Sequence, residues 1–173
     1  MEAQSYKIYL NSINTFIFDV DGVLTDGTVT IMSNGEVQKK MHVKDEYAIK
    51  TAIKTGFNIC VITRGSNIGI KQRLEALGVT SIYLKSFSKI NAFEDYLKNN
   101  QINPETVLYM GDDIPDYDVM TRVFLPTCPQ DAAQEIKSIS KYVSHKKGGQ
   151  GAVRDVIEQT LKVQGKWEII TKK

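Results

Sequence analysis

Residues 15–27 of the chain read TFIFDVDGVLTDG, and the rest of the sequence is organised around this stretch. The apolar run from Phe16 to Val20 is short, rich in strand-forming residues and followed by Gly22, which predicts a buried β-strand ending in a turn. Asp19 and Asp21 lie where this strand ends. Two adjacent carboxylates repel each other unless a cation lies between them or one is protonated. The stretch is therefore typical of a site for a hard cation such as Mg²⁺, and equally of an Asp-containing turn without a catalytic role.

The remaining sequence alternates predicted strands with predicted helices. Asn34-Gly35 between two strand-like runs predicts a β-hairpin over residues 28–43. Further strands are predicted at 57–62, 81–84, 106–110, 123–125 and 142–143, and helices at 44–55, 69–77, 88–99 and 152–163. This alternation indicates right-handed crossovers and a mainly parallel sheet, so the predicted fold class is α/β. In the helix at 44–55, the pattern places Tyr47, Ala48, Ala52 and Ile53 towards the core.

The composition argues against several classes of protein. The 173 residues, 42% of them hydrophobic, favour a single domain over residues 1–173, with a C-terminal tail from about 146. The formal charge of +2, with acidic and basic residues interleaved, argues against nucleic-acid binding. Cys60 and Cys128 lie too far apart for a CxxC zinc or redox motif. There is no signal-like apolar segment and no run of about 18 apolar residues, so we expect a soluble cytoplasmic protein and no membrane partner.

Polar side chains follow three of the predicted strands. The carboxylates are Asp19, Asp21, Asp112, Asp113 and Asp116, and the hydroxyl is that of Thr63. Lys89, at the start of the helix after the strand at 81–84, can bring an ammonium to the same edge. The carboxyl ends of parallel strands lie at one edge of a sheet, where ligands bind. The set contains what phosphoryl transfer needs, because positioning and charge neutralisation supply most of the catalysis of that reaction.

Four segments, in order, resemble the motifs of the haloacid dehalogenase superfamily of aspartyl-phosphate phosphatases. They are Asp19-Val20-Asp21-Gly22-Val23, Thr63, Lys89 and Gly111-Asp112-Asp113-Ile114-Pro115-Asp116. Residues 148–155 are similar to the tail of its 3-deoxy-D-manno-octulosonate 8-phosphate phosphatases. The chain departs from that subfamily in reading Thr63-Arg64-Gly65 for Thr-Gly-Arg, and Gln150 where arginine is common. The resemblance implies a three-layer, Rossmann-like sheet with a hairpin insertion, and the short connections leave no room for a cap domain.

The resemblance also implies the roles of individual residues. Asp19 would be the nucleophile and Asp21 the general acid and base, and Mg²⁺ would be held by Asp19, the Asp21 main-chain carbonyl and Asp112. The substrate, a small phosphorylated sugar acid, would be bound by Thr63, Arg64, Lys89 and Arg154, with Asp116 supporting Lys89. Since an open site needs covering, we expect a homotetramer built through the hairpins, in which residues 148–154 cover a neighbour's site.

Other classes of protein fit less well. A signalling receiver domain places its phosphorylated aspartate after a middle strand and its lysine late, unlike this order of residues. A halogenated-acid hydrolase has no use for an acid at Asp21. Two alternatives stay open: a phosphatase of a nine-carbon sialic-type acid 9-phosphate, and a non-catalytic oligomerisation module of a sugar-activating enzyme.

Overall fold

The computed structural model describes residues 5–167, which form a six-stranded parallel sheet between two helical layers. The strands are β1 Thr15–Phe18, β2 Thr30–Ile31, β3 Val37–Gln38, β4 Asn58–Ile62, β5 Ser81–Tyr83, β6 Val107–Met110, β7 Leu125–Cys128 and β8 Tyr142–Val143. The helices are α1 Val43–Lys54, α2 Ile68–Ala76, α3 Lys89–Asn100, α4 Tyr117–Met120, α5 Gln134–Ile139 and α6 Ala152–Val163. The spatial order of the main sheet is β5-β4-β1-β6-β7-β8. The predicted α/β class and parallel sheet are confirmed.

Strand β1 lies at the centre of the molecule. It pairs in parallel with β4 on one side and β6 on the other, and its four residues are all buried. Alternate side chains enter two cores: Phe16 and Phe18 pack with α1, α2 and α6, and Ile17 packs with α3, α4 and α5. A strand buried on both faces is continuously apolar, which explains why residues 15–18 contain no alternating polar positions. Because the chain crosses from β5 back to β6 beside β1, a crevice forms at their carboxyl ends.

The predicted hairpin is present but shorter than expected. β2 and β3 pair antiparallel over two residues each, and the turn between them includes Gly35 at a φ of +84°. The side chains of this hairpin are exposed, and Ile31 is 73% accessible. Residues 39–42 leave the hairpin and lead into α1, so the second predicted strand ends about five residues early.

Several details of the helical layers differ from the predictions. Tyr47 is half-exposed, and Asp45 and Glu46 are buried instead. Asp45 and Glu46 are buried because each has a polar partner. A side-chain oxygen of Asp45 accepts the main-chain N–H of Arg154 at the start of α6, and Glu46 forms an ion pair with Arg73 of α2. Helices α4 and α5 were not predicted.

Strand β7 begins two residues later than predicted. It contains Pro126, which strand patterns disfavour because proline has no N–H to donate to the ladder. Among the helices within residues 5–167, none combines the length and apolar composition needed to cross a bilayer.

Candidate active site

A cavity of about 250 Å³ opens at the carboxyl ends of β1, β4 and β6. It is lined by Asp19, Asp21, Gly27, Thr63, Arg64, Lys89, Asp112, Asp113, Pro115 and Asp116. The sheet thus brings together every predicted site residue except Arg154. Strands paired in parallel end at the same edge, so residues far apart in sequence meet there.

The turn after β1 approaches the end of β6 closely enough to require a glycine. Gly22 has a φ of +82°, and a Cβ added at this position would overlap the carboxylate of Asp112. The Asp19 N–H donates to the Met110 carbonyl at 3.1 Å, which extends the ladder to the first site residue. Glycine therefore allows the carboxylates after β1 and β6 to share one cavity.

Lys89 lies between two carboxylates at the floor of the cavity. Its Nζ is 2.9 Å from Asp19 Oδ1 and 2.7 Å from Asp116 Oδ1, and the residue is 4% exposed. Asp116 also accepts the Tyr109 hydroxyl at 2.5 Å and the Asp112 N–H at 3.2 Å. A buried charge is tolerated when it is paired and hydrogen-bonded. The expected contact of Asp116 with Lys89 is present, whereas the contribution of Tyr109 was missed.

The three carboxyl groups of Asp19, Asp112 and Asp116 can carry more negative charge than the single ammonium of Lys89 neutralises. Burial raises the pKa of the Asp19 carboxyl to about 7, the negative charge of Asp116 adds to this effect, and Lys89 opposes it. Burial, with the charges of Asp19 and Asp116, raises the pKa of Asp112 to about 8. Carboxylates crowded in this way are stabilised as anions by a nearby cation. The site therefore suits a divalent ion.

The acidic cluster has the composition and spacing of a cation site. Carboxylate oxygens of Asp19, Asp112 and Asp116 lie within 4.8 Å of one another. Both oxygens of Asp116 already accept hydrogen bonds, and the side chain of Asp112 accepts none within residues 5–167. Mg²⁺ binds through one or two carboxylates and retains several water ligands. The donors present fit that ion, and Asp19 and Asp112 have carboxylate oxygens that could bind it.

Asp21 lines the cavity, but the partner of its carboxylate, Lys39, lies outside the cavity. Lys39, just after β3, donates to the two oxygens of Asp21 at 2.6 and 2.8 Å. Sequence reasoning missed Lys39, since a lysine beside an exposed hairpin strand has the pattern of a solvated residue. No local signal connects two residues 18 positions apart.

Thr63 and Arg64 follow β4 at the edge of the cavity. Thr63 is buried, and its hydroxyl accepts the Gly65 N–H at 3.0 Å. The Arg64 guanidinium lies 5.8 Å from the ring centroid of Phe87, which is 75% exposed. The order Thr63-Arg64-Gly65 thus places an arginine side chain at the rim of the cavity, against an aromatic ring.

The glycine-rich segment packs against the turn after β1 of its own chain, and the cover of a neighbouring site by residues 148–154 stays a prediction. A Cβ added at Gly148 would overlap the Gly22 carbonyl, and one at Gly149 would overlap the backbone of residues 25–26. The Gly149 N–H donates to the Val23 carbonyl at 2.9 Å. These glycines therefore support the turn that carries Asp21, by an approach of two backbones that side chains would prevent.

Arg154 lies on α6, away from the cavity. Its Nε donates to Glu158 at 2.8 Å, and its guanidinium stacks on Tyr47 and Trp167, with 5.6 and 5.1 Å to the ring centroids. It lines a separate groove, which also contains His42 and His145. The structure thus does not bring Arg154 to the Asp19 cavity of its own chain, because α6 docks on α1. Residues 168–173 of the predicted tail lie outside the described part of the chain.

Comparisons with known proteins agree with this geometry. Residues 77–157 match the family model described as haloacid dehalogenase-like hydrolase. The chain is 38% identical over 155 residues to the 3-deoxy-D-manno-octulosonate 8-phosphate phosphatase of Salmonella typhi, covering 90% of this chain and 82% of that protein.

Two solved structures are similar over almost the whole chain. The 3-deoxy-D-manno-octulosonate 8-phosphate phosphatase of Yersinia pestis superposes with a TM-score of 0.91 at 34% identity, covering 94% of this chain and 88% of that one. The enzyme of the same name from Moraxella catarrhalis, solved with a magnesium ion, a phosphate ion and KDO, gives 0.89 at 29% identity, covering 92% and 91%.

Proposed function

The chain belongs to the haloacid dehalogenase-like hydrolases, among the relatives of 3-deoxy-D-manno-octulosonate 8-phosphate phosphatase, and from this we propose that it hydrolyses that sugar-acid phosphate. The observation that carries the proposal is the meeting of Asp19, Asp21, Thr63, Lys89 and Asp112 around one cavity. A non-catalytic oligomerisation module would have no need to bury a lysine between two carboxylates, since such groups are costly to desolvate.

Asp19 and Asp112, with the Asp21 main-chain carbonyl, would hold Mg²⁺. When bound, the ion neutralises negative charge so that an anionic nucleophile and an anionic phosphate can approach each other. Thr63 and Lys89 line the same cavity and supply a hydroxyl and an ammonium for phosphate oxygens. The anchoring of Lys89 by Asp116 fixes the ammonium beside Asp19.

The first chemical step forms an aspartyl-phosphate. A carboxylate oxygen of Asp19 bonds to phosphorus while the bond from phosphorus to the sugar oxygen breaks, and Asp21 gives a proton to that leaving oxygen. An alkoxide is a poor leaving group, and a positioned acid contributes about 10² to 10⁴-fold. The covalent intermediate divides one difficult hydrolysis into two easier steps.

The second step releases inorganic phosphate. Asp21, now a carboxylate, takes a proton from a water molecule whose oxygen attacks phosphorus, and the bond from phosphorus to Asp19 breaks. Asp19 returns as a carboxylate and Asp21 as an acid, so the enzyme is ready for another substrate.

Arg64 is suited to the substrate's own carboxylate. It lines the cavity, makes no ion pair within residues 5–167, and rests on Phe87 at the rim. A planar guanidinium binds a carboxylate through two parallel hydrogen bonds. Binding energy from this remote group would orient the phosphate against Asp19.

A homotetramer assembled through the hairpins completes the proposal. The apolar side chains of the hairpin are exposed, at 50% for Val29, 73% for Ile31, 39% for Met32 and 42% for Val37. Contiguous exposed apolar residues mark protein–protein contacts, and a second copy of this chain is the partner we propose. No cap domain lies over the cavity within the described residues, so neighbouring subunits would close it.

The test is phosphate release from purified protein with Mg²⁺ and a panel of phosphorylated sugar acids. We expect the eight-carbon 8-phosphate to give the highest kcat/KM, and the Asp19→Asn variant to release phosphate only at a background rate. Preference for a nine-carbon 9-phosphate would assign the alternative substrate. Absence of turnover with every ester would refute the phosphatase proposal.

A further inference from the structure

Lys39 is bound to Asp21 by contacts that the proposed chemistry does not use. Its Nζ lies 2.6 Å from Oδ1 and 2.8 Å from Oδ2, so one ammonium holds both carboxylate oxygens. The Lys39 side chain is 10% exposed and that of Asp21 is 40% exposed. A lysine next to an exposed hairpin strand is ordinarily solvated, so its burial against one carboxylate indicates a specific role.

Asp21 has few other constraints on its position. Within residues 5–167, its carboxylate accepts hydrogen bonds only from Lys39. A side chain this exposed and without other partners exchanges between rotamers. A proton donor must lie within hydrogen-bond reach of the atom it serves, and a misplacement of about 1 Å reduces a rate roughly 10²-fold. Something must therefore fix Asp21, and Lys39 makes the contact that does so.

The location of Lys39 distinguishes positioning from direct contact with substrate. Asp21 lines the cavity that contains Asp19, whereas Lys39 lines a neighbouring groove beside the hairpin and α2. Gly65 lies beside the ion pair, where an added Cβ would be 3.5 Å from Asp21 Oδ2 and 3.8 Å from Lys39 Nζ. Lys39 therefore reaches Asp21 from outside the cavity.

We propose that Lys39 is a positioning residue. It keeps its contact with one oxygen of the Asp21 carboxyl group while the other oxygen carries the proton, and so holds that group where it meets the leaving oxygen of the substrate. Since Lys39 follows β3, the position of Asp21 then depends on the position of the hairpin. This inference rests on the proposed role of Asp21 as the general acid. It adds a residue directly after the hairpin to an active site that has no cap over it within residues 5–167.

The test compares kcat/KM for phosphate monoesters whose leaving groups differ in pKa, because this ratio reports the step in which the leaving group departs. Alkyl esters, including the sugar-acid phosphate, need a proton donor, whereas p-nitrophenyl phosphate needs little help. For Lys39→Met we expect losses of about 10 to 10²-fold on alkyl esters and under about threefold on p-nitrophenyl phosphate. Lys39→Arg, which keeps a cation able to bind a carboxylate, should restore part of the loss.

Two controls separate the possible outcomes. Lys40→Met removes the neighbouring exposed lysine, which makes no hydrogen bond within residues 5–167, and should leave the leaving-group dependence unchanged. Asp21→Asn measures the full effect of losing the acid. If Asp21→Asn discriminates between alkyl and aryl esters but Lys39→Met does not, the positioning role is refuted and the proposed function survives. If Asp21→Asn shows no discrimination, the acid assignment fails, and the inference about Lys39 fails with it.

A uniform loss for Lys39→Met with a raised KM would also overturn the inference, because it would place Lys39 on the substrate's phosphate. Light scattering and circular dichroism establish that each variant keeps its assembly and fold. Lys39→Gln provides a second neutral variant of different shape, so the result does not depend on how methionine packs beside the hairpin.

Discussion

The cavity and the hairpin depart from ordinary packing in opposite ways. At the cavity, Asp19, Lys89 and Asp116 are charged and at least 94% buried, whereas the hairpin exposes Ile31 at 73%. Neither arrangement minimises the free energy of an isolated subunit, because buried charges are costly and exposed apolar surface gains from being covered. Departures of this kind mark functional surfaces. The contrast is what we expect if the cavity serves chemistry and the hairpin serves the proposed contact between subunits, and Lys39 joins the two.

The strongest test of the cavity removes the nucleophile. Asp19→Asn keeps the shape of the side chain but not its charge, so we expect kcat to fall by about 10⁴-fold or more. The melting temperature should not fall, because one of several crowded carboxylates becomes neutral. Phosphate release and thermal unfolding measure the two effects. Asp118→Asn, an exposed aspartate of α4, is the matched control. Activity above a few per cent in Asp19→Asn would exclude covalent catalysis at this residue.

Removing the metal should cause the next largest loss of activity. Exhaustive chelation should abolish turnover, and Mg²⁺ should restore it, since Asp19 and Asp112 are hard oxygen donors. Ca²⁺ should inhibit, because it favours longer bonds and more ligands than Mg²⁺. Activity after chelation, and after addition of each ion, gives the comparison. Full activity in the chelated enzyme would contradict a catalytic metal.

The support beneath the catalytic turn can be tested with two glycines of similar conformation. Gly149 and Gly165 have φ values of +63° and +67°, but only at Gly149 would a Cβ meet backbone atoms within 4 Å. Alanine at Gly165 should cost about 1 kcal/mol in unfolding free energy from strain alone. Alanine at Gly149 should cost about 2 to 4 kcal/mol and lower kcat, because the turn at 22–26 must shift. Denaturant unfolding and steady-state kinetics measure both, and equal costs would show that the close contact is unimportant.

The smallest effect on the subunit itself is expected at the hairpin. Ile31→Glu should change the unfolding free energy of a subunit by less than about 0.5 kcal/mol, because the side chain is exposed. It should nevertheless dissociate the proposed tetramer, since a charge would be buried at the contact between subunits. Light scattering at micromolar concentration reports the assembly. Ile8→Glu changes an isoleucine that is 48% exposed outside the hairpin and serves as the control. A wild-type chain that is monomeric would remove the proposed contact altogether.

Features with a local signal were predictable from the sequence. The apolar run before Asp19 predicted β1, and Asn34-Gly35 predicted the hairpin turn, because each depends on residues adjacent in the chain. The grouping of Asp19, Thr63, Lys89 and Asp112 followed from one topological rule, that parallel strands end at the same edge. His42 and His145 line the groove beside α6, outside the cavity.

Features that depend on tertiary packing were not predictable in this way. The contact of Lys39 with Asp21 requires the hairpin to fold back over the sheet edge, and no periodicity encodes that. Arg154 matched a tail motif, yet α6 docks so that its guanidinium meets Tyr47 and Trp167. The tight contact of Gly148 and Gly149 with residues 22–26 had no signal in the sequence, because only the folded chain brings these two backbones together.

The contact of Gly149 with Val23 has a consequence for how the protein is made. During synthesis, β1 and Asp19 leave the ribosome before Gly149, which contacts the turn after β1. Helix α6, whose apolar face lies in the core, follows Gly149. Contacts between distant parts of a chain form slowly, and incomplete chains expose apolar surface. A nascent chain that ends before residue 148 thus lacks both the contact made by Gly149 and helix α6. Competence for catalysis therefore requires synthesis of the chain through α6, which also completes the core.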